Sequence, residues 1–160
     1  MAFFSKYDPS KVESVIAMLN AMYASELVAA EQYYRHSVDV TGIWSTSLQG
    51  VFDEHAKEEV RHADTLRELI DNLGGTIVNS FELIPKINPH TSGDGDVKAS
   101  MDAKTMLQFD LEAENTAIEA YTEVARMVQP YWPHIYVEVA EILGDEYHHH
   151  RELKNLLAGF

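Results

Sequence analysis

The chain has 160 residues, a formal net charge of −14 and no cysteine. This length suits a single domain with an ample core, and the lack of cysteine excludes disulfides, zinc ribbons, four-cysteine iron sites and thiol catalysis. The acidic excess argues against general nucleic-acid binding, which needs a basic surface, and suits a protein that attracts metal cations. No apolar run approaches the ~20 residues of a membrane span and the N-terminus is not a signal peptide, so we expect a cytoplasmic protein.

Apolar periodicity predicts four long helices within one domain that spans the whole chain. The helices are expected at about 9–40, 46–73, 100–128 and 133–157. Asp8 is a candidate N-cap for the first helix, with Pro9 in its first turn. Gly42 and Gly74 follow the ends of the first and second helices, and Pro130 ends the third.

Connection lengths predict the topology of these helices. The first and third connections are short, so the helices that they join should be antiparallel neighbours. The crossover 74–99 can extend over ~85 Å, about twice the ~42 Å length of a 28-residue helix. It can therefore run the length of the bundle, which makes the second and third helices parallel. The predicted fold is an all-α four-helix bundle with one long crossover.

Two copies of one pattern of glutamates and histidines divide the chain into matching halves. Each copy is a glutamate on an apolar helix face, followed 33 or 32 residues later by Glu-x-x-His on the next helix. The six residues are Glu26, Glu59 and His62 in the first copy, and Glu114, Glu146 and His149 in the second. Four carboxylates and two imidazoles are the ligand set of ferritin-like di-iron or di-manganese bundles. Mixed oxygen and nitrogen ligation favours iron or manganese over calcium or magnesium, so we predict two iron ions per chain, or manganese. Zinc and copper also accept these ligands, so geometry and metal availability must decide among them.

The repeat continues beyond these six residues. A shared pattern, E-x-x-A-x-E-x-Y, places Tyr33 and Tyr121 seven residues after the first glutamate of each copy. Each tyrosine is either a packed core residue with a bonded hydroxyl or a hydrogen-bond or one-electron donor near the metals. Asp110 and Asp145 are candidates to orient the ligand histidines, or are ordinary helix charges.

Four other histidines are not expected to bind the metals. His148 and His150 flank a predicted ligand, but they are out of phase with Glu146 and should lie at the surface or at an interface. His36 and His55 are expected to be solvated or packed.

The helices that carry these residues resemble those of bacterioferritins. The similar segments are 15–20 and 25–36 in the first helix, 59–64 in the second, 106–114 in the third and 141–149 in the fourth. The resemblance implies that the six motif residues are the ligands of a ferroxidase centre. Within it, Glu59 and Glu146 would bridge the metals, Glu26 and Glu114 would be terminal, and each histidine would bind one metal.

Three features depart from bacterioferritins. Val60 replaces the methionine that binds haem, so a haem would need another ligand, with Met22 or Met18 the first candidates. Only 11 residues follow His149, which leaves no room for a fifth helix, and the crossover is longer. These features look more like a Dps-like or mini-bacterioferritin shell, expected to contain 12 subunits.

The resemblance implies an iron-storage and detoxification protein that oxidises Fe2+ with O2 or H2O2 and stores ferric mineral in a hollow shell. The alternative is a stand-alone di-metal peroxidase or catalase, similar to rubrerythrin or manganese catalase. A DNA-protecting role is disfavoured by the net charge and by the lack of a basic tail.

Overall fold

The computed structural model describes residues 9–78 and 102–160, and all regular structure in these two ranges is α-helical. The helices are α1 (Pro9–Asp39), α2 (Ser45–Asn72), α3 (Ala103–Val128) and α4 (Pro133–Leu157). They form an all-α four-helix bundle, which confirms the predicted fold class. The proposed cap at Asp8 and most of the crossover 74–99 lie outside the described residues.

Local backbone chemistry sets the ends of the helices. Gly42 and Gly74 follow α1 and α2 with φ of +91° and +73°, a left-handed conformation that is least costly for glycine. The third helix starts directly after Asp102, slightly later than predicted, because this side chain accepts a hydrogen bond from the Thr105 N–H at 3.0 Å. The fourth helix begins at Pro133, whose missing N–H costs nothing in the first turn.

Contacts between the helices establish their directions. Along α1 and α3, Tyr33 contacts Glu114 while Glu26 contacts Tyr121, so these helices are antiparallel. The short turn between α1 and α2 makes that pair antiparallel as well. Because α2 and α3 both run opposite to α1, they are parallel to each other, as the long connection between them predicts.

Two apolar clusters fill the bundle at its two ends. The first is built mainly on Val15, Leu19, Met22, Leu66, Ile70, Val124, Val128, Ile135 and Val139. The second is built on Tyr33, Val40, Leu48, Phe52, Ala56, Ala103, Met106, Leu107 and Leu153. Each fully buried leucine or isoleucine contributes about 1.5–3 kcal/mol. On every helix the predicted ligand residues fall between the parts that enter the two clusters, so the polar residues form a layer across the middle of the bundle.

Asn20 ties the chain that follows α2 to the middle of α1. Its amide donates to the carbonyls of Ile16 and Thr76, both at 3.1 Å, and its own carbonyl accepts from the Val78 N–H at 2.8 Å. Beside it, Gly75 packs so closely on Ile16 that a Cβ would lie 2.8 Å from Cγ2 of that side chain. The start of the crossover is therefore fixed against α1 as far as Val78.

The first helix is more apolar than the sequence reasoning allowed. Among the described residues, the segment Lys11–Asp39 is long and apolar enough to cross a membrane by length and composition alone, which corrects the expectation that no such run exists. The core helix of a globular protein passes the same test. Here α1 buries Asn20, Glu26 and His36, and each of these polar residues bonds to groups elsewhere in the chain.

Candidate metal centre

The structure brings the six predicted ligand residues together in the middle of the bundle. They are Glu26 on α1, Glu59 and His62 on α2, Glu114 on α3, and Glu146 and His149 on α4, each at most 4% exposed. They form two overlapping groups in which the possible ligand atoms lie within 4.8 Å of one another. Site A comprises Glu26, Glu59, His62 and Glu146, and site B comprises Glu59, Glu114, Glu146 and His149. Glu59 and Glu146 belong to both groups.

The two histidines lie 6.1 Å apart, measured between ring centroids, and face the shared glutamates. In site A, His62 Nδ1 is 2.9 Å from Glu59 Oε2 and 3.1 Å from Glu146 Oε1. In site B, His149 Nδ1 is 3.3 Å from Glu59 Oε1 and 3.6 Å from Glu114 Oε1. Each imidazole therefore directs Nδ1 at carboxylate oxygens, so a cation among these atoms would meet both donor types.

The second ring nitrogen, Nε2, of each of these two histidines is hydrogen-bonded to a carboxylate. His62 Nε2 donates to Asp145 Oδ2 at 3.2 Å, and His149 Nε2 donates to Glu58 Oε2 at 2.7 Å. These bonds leave Nδ1 of each ring as the nitrogen for a metal. Asp145 is in the place that the sequence suggested. Glu58 was not predicted from the sequence. It directly precedes the motif glutamate of its helix, as Asp145 does on α4, so the internal repeat could have identified it.

The two repeated tyrosines exchange hydrogen bonds between α1 and α3. Tyr33 on α1 donates to Glu114 Oε1, and Tyr121 on α3 donates to Glu26 Oε1. Burial raises the pKa of both hydroxyls well above the usual tyrosine range, and the bonded glutamates raise it further. Both tyrosines are therefore neutral hydrogen-bond donors. They fix one oxygen of Glu114, which belongs only to site B, and one oxygen of Glu26, which belongs only to site A.

Asp110 lies away from both ligand histidines and pairs with His36. Its Oδ2 accepts from His36 Nδ1 at 2.8 Å, and Gln32 contacts the other ring nitrogen. Burial raises the pKa of Asp110 to about 6, although the bond to His36 opposes the shift. Asp110 therefore orients His36 and not a ligand histidine, which differs from the sequence prediction.

Burial disfavours the ionised form of the glutamates in the centre. Burial raises the pKa of Glu26 and of Glu146 well above the usual glutamate range, and neighbouring carboxylates add to the effect. Burial also opposes ionisation of Glu59, but the adjacent rings of His149 and His62 outweigh it and lower the pKa of Glu59. Two divalent cations would neutralise four carboxylates, so the charges of these residues fit a di-metal centre.

Buried ligand atoms that lack hydrogen-bond partners also fit a di-metal centre. Among the described residues, Glu114 Oε2, Glu146 Oε1 and His149 Nδ1 are buried and have no hydrogen-bond partner. Such an atom costs about 1–3 kcal/mol when nothing pairs with it. All three are good ligands for first-row transition metals, and all three point into the polar layer. The donor set therefore fits two iron or manganese ions.

A cavity of about 550 Å³ lies between α1 and α3 and reaches the centre. It is lined by the carboxylates Glu26, Glu59, Glu114 and Glu146, and by the small side chains Ser25, Ala29, Ala113, Ala117 and Ala120. Small residues on the facing sides of the two helices leave the gap open. The cavity therefore borders four of the buried carboxylates of the centre.

The residues considered for haem or for the surface lie outside the centre. Met22 is 6% exposed and packs in the first apolar cluster, while Met18 is partly buried against it, so Met18 is the more accessible of the two. Val60 is exposed on the outer face of α2. His148 is exposed and accepts a hydrogen bond from Arg151 at 3.1 Å.

Two bacterial proteins have sequences similar to most of this chain. A bacterial ferritin from Paramagnetospirillum magnetotacticum is 32% identical over 112 residues, which are 70% of this chain and 61% of that protein. A bacterioferritin from Desulfovibrio desulfuricans is 27% identical over 113 residues, which are 71% of this chain and 56% of that protein. The chain therefore spans less than two thirds of the length of these two relatives.

Solved structures agree with the sequence comparison. A bacterioferritin-related protein from Bacteroides fragilis, described as a dodecameric thioferritin, has a TM-score of 0.84 and 28% identity, and the match covers 92% of this chain and 86% of that one. A ferritin-like di-iron-carboxylate protein from Bacillus anthracis has a TM-score of 0.76 and 26% identity, with coverage of 92% and 97%. Residues 16–160 match the family model of the ferritin-like domain. The chain is therefore a member of the ferritin-like superfamily, of the bacterioferritin type.

Proposed function

We propose that this chain is a ferroxidase that oxidises Fe2+ with O2 or H2O2, and that it serves iron storage and detoxification. The observation that carries the proposal is the pair of overlapping groups, site A and site B, which share Glu59 and Glu146. Sharing two carboxylates brings two cations close together, and a close pair is what a two-electron oxidant needs. The names of the bacterial ferritin and bacterioferritin relatives support the same activity.

Within this proposal each ligand has a defined role. Glu59 and Glu146 bridge the two ferrous ions. Glu26 and His62 complete site A, and Glu114 and His149 complete site B. The two sites thus share two bridging carboxylates, and each site adds one terminal carboxylate and one imidazole. This ligand set matches that of the four-helix bundles that hold two iron or manganese ions. Manganese is the alternative metal.

The electron balance explains why two ions are needed. Each ferrous ion gives one electron, so a pair reduces O2 with two protons to H2O2, or reduces H2O2 with two protons to two waters. Oxidation in pairs avoids the release of one-electron oxygen radicals. Carboxylate ligands favour the ferric product, and the cavity between α1 and α3 gives ferrous ions and oxidant a route to the glutamates.

Hydrogen bonds between the ligands and the surrounding residues keep the ligands in place. Tyr33 donates to Glu114 Oε1, which leaves Glu114 Oε2 without a partner among the described residues and available for a cation. Asp145 and Glu58 fix the rings of the two ligand histidines with Nδ1 directed inward. Mutation of hydrogen-bond partners of this kind typically lowers metal affinity or activity by about 10–100-fold.

We also propose that the chain assembles into a closed, hollow shell of 12 subunits in the cytoplasm. The bacterioferritin-related protein with the TM-score of 0.84 is described as dodecameric, which supports this number. Closed symmetry is the usual outcome for a homo-oligomer. A net charge of −14 per chain would attract Fe2+ to the entry pores and to the interior, where ferric mineral would form.

The proposal is tested by the variant Glu59→Gln, with Glu54→Gln as its matched control on the exposed face of the same helix. Stopped-flow absorbance measures the initial rate of ferrous oxidation with O2 and with H2O2. The rate should fall at least about tenfold in Glu59→Gln and should not change in the control. An unchanged rate in Glu59→Gln would overturn the assignment of the ferroxidase centre.

The storage part of the proposal has a separate test. Light scattering should give a mass near that of twelve chains of 18.1 kDa. A mass of one or two chains would reject the shell, and the function would then be that of a di-metal peroxidase or catalase.

A further inference from the structure

His55 is a buried histidine next to site B that the six-residue ligand set does not include. It lies on α2, one helical turn before Glu59, and is 2% exposed. One of its ring nitrogens lies within 4.8 Å of ligand atoms on both Glu114 and His149. Its ring stacks on that of His149, with centroids 4.0 Å apart and an angle of 24° between the planes.

The hydrogen bonding of His55 repeats that of the two ligand histidines. Its Nε2 donates to Glu152 Oε2 at 3.0 Å, as His62 donates to Asp145 and His149 to Glu58. Its Nδ1 is buried and has no hydrogen-bond partner within residues 9–78 and 102–160. A carboxylate on one nitrogen and an unpaired second nitrogen is the usual arrangement of a metal-binding histidine.

Site A offers no counterpart to His55. His55 precedes the motif glutamate Glu59 by four residues, and the residue that precedes Glu146 by four is Ile142, a buried member of the first apolar cluster. The internal repeat is therefore broken at this position. One half of the chain has an imidazole where the other half has a hydrocarbon.

We propose that His55 is a third imidazole ligand, which binds through Nδ1 the metal ion of site B. This inference rests on the proposed di-metal centre and goes beyond it, because it makes the two metal positions chemically different. Site B has two imidazoles, from His55 and His149, whereas site A has one, from His62. An additional nitrogen donor strengthens binding of late first-row ions such as Co2+ and Zn2+. Site B is therefore filled first and holds its ion longer.

Titration of the metal-free protein with Co2+ under anaerobic conditions tests this inference. His55→Phe keeps a ring against His149 and removes the nitrogen, and His55→Gln is a second variant in case the first does not fold. Ile142→Val is the matched control, because it changes packing at the corresponding position of the other half. The wild type should bind one Co2+ tightly and a second more weakly. The first affinity should fall at least about tenfold in either His55 variant, and it should change by less than about twofold in the control.

X-ray absorption at one Co2+ per chain measures the number of imidazole ligands, which a change in packing alone would not alter. The wild type should show about two imidazole ligands per Co2+ and the His55 variants about one. If the wild type binds two Co2+ and the His55 variants match it in affinity and in ligand number, His55 is not a ligand and the proposed centre still stands. If the wild type binds no Co2+ inside the bundle, both the centre and the role of His55 are rejected.

Discussion

Replacement of Glu146 by glutamine should separate the intrinsic stability of the protein from its stabilisation by metal. Glu146 is 1% exposed and belongs to both site A and site B, and one of its oxygens has no hydrogen-bond partner in the part of the chain that the structure describes. The amide keeps the shape of the side chain and removes a buried acid, so the metal-free variant should be at least as stable as the wild type. The same change removes a shared anionic ligand, so metal binding should weaken in both sites.

The expected magnitude follows from the two sites. A ligand at 100 times its Kd stabilises a folded protein by ~2.7 kcal/mol per site, so two filled sites give roughly 5 kcal/mol. In a chain of 160 residues, 1 kcal/mol shifts Tm by ~2–4 °C. Mn2+ should therefore raise the Tm of the wild type by about 10–20 °C. In Glu146→Gln the rise should be about half of this or less, because both sites lose a ligand and a Kd raised about tenfold leaves only ~1.4 kcal/mol per site.

Differential scanning calorimetry of chelator-treated protein, with and without Mn2+ and at one protein concentration, measures these shifts. Glu141→Gln is the matched control, since Glu141 is exposed on the same helix and should leave the Mn2+ effect unchanged. A Glu146→Gln protein that gains as much Tm from Mn2+ as the wild type would refute the reasoning that Glu146 is a shared ligand.

Three further predictions concern the fold and the charge. Asn20→Ala should cost about 1–3 kcal/mol in the free energy of unfolding, because the Thr76 carbonyl and the Val78 N–H lose their partner; urea denaturation measures this, and an unchanged midpoint would contradict it. Asp102→Ala should lower the Tm at pH 7. The Thr105 N–H lowers the pKa of Asp102, so the cap stabilises above the usual aspartate range and is lost as pH falls through that lowered pKa; a Tm difference that persists in strong acid would argue against this capping role. Iron uptake should slow as ionic strength rises, because salt screens the negative surface; uptake rates at low and high NaCl test this, and a faster uptake in salt would count against electrostatic attraction.

The sequence predicts most of what happens along each helix. Glu26 and Glu114 interrupt apolar faces at corresponding positions, and that alone directs both side chains to the interior. The turn at Gly74 follows in the same way from the conformational freedom of glycine. The six motif residues do meet in the structure. Their role as ligands stays a prediction.

The sequence does not predict contacts that depend on the register between helices. Glu58, Glu152 and His55 acquire their importance only when α2 and α4 lie side by side, because each reaches a partner on the other helix. The periodicity of one helix carries no information on its height relative to its neighbour. Asp110 illustrates the same limit, since it faces the interior but meets His36 instead of a ligand histidine.

The central claim is that one chain holds two metal ions between four glutamates and two histidines. Anomalous scattering at the iron edge, from crystals grown with Fe2+, tests it most directly. We predict two anomalous peaks inside each bundle, both within ligand distance of Glu59 and Glu146, one beside His62 and the other beside His149. Crystals that contain iron but show no peak inside the bundle, or peaks only at surface residues, would contradict the proposed centre.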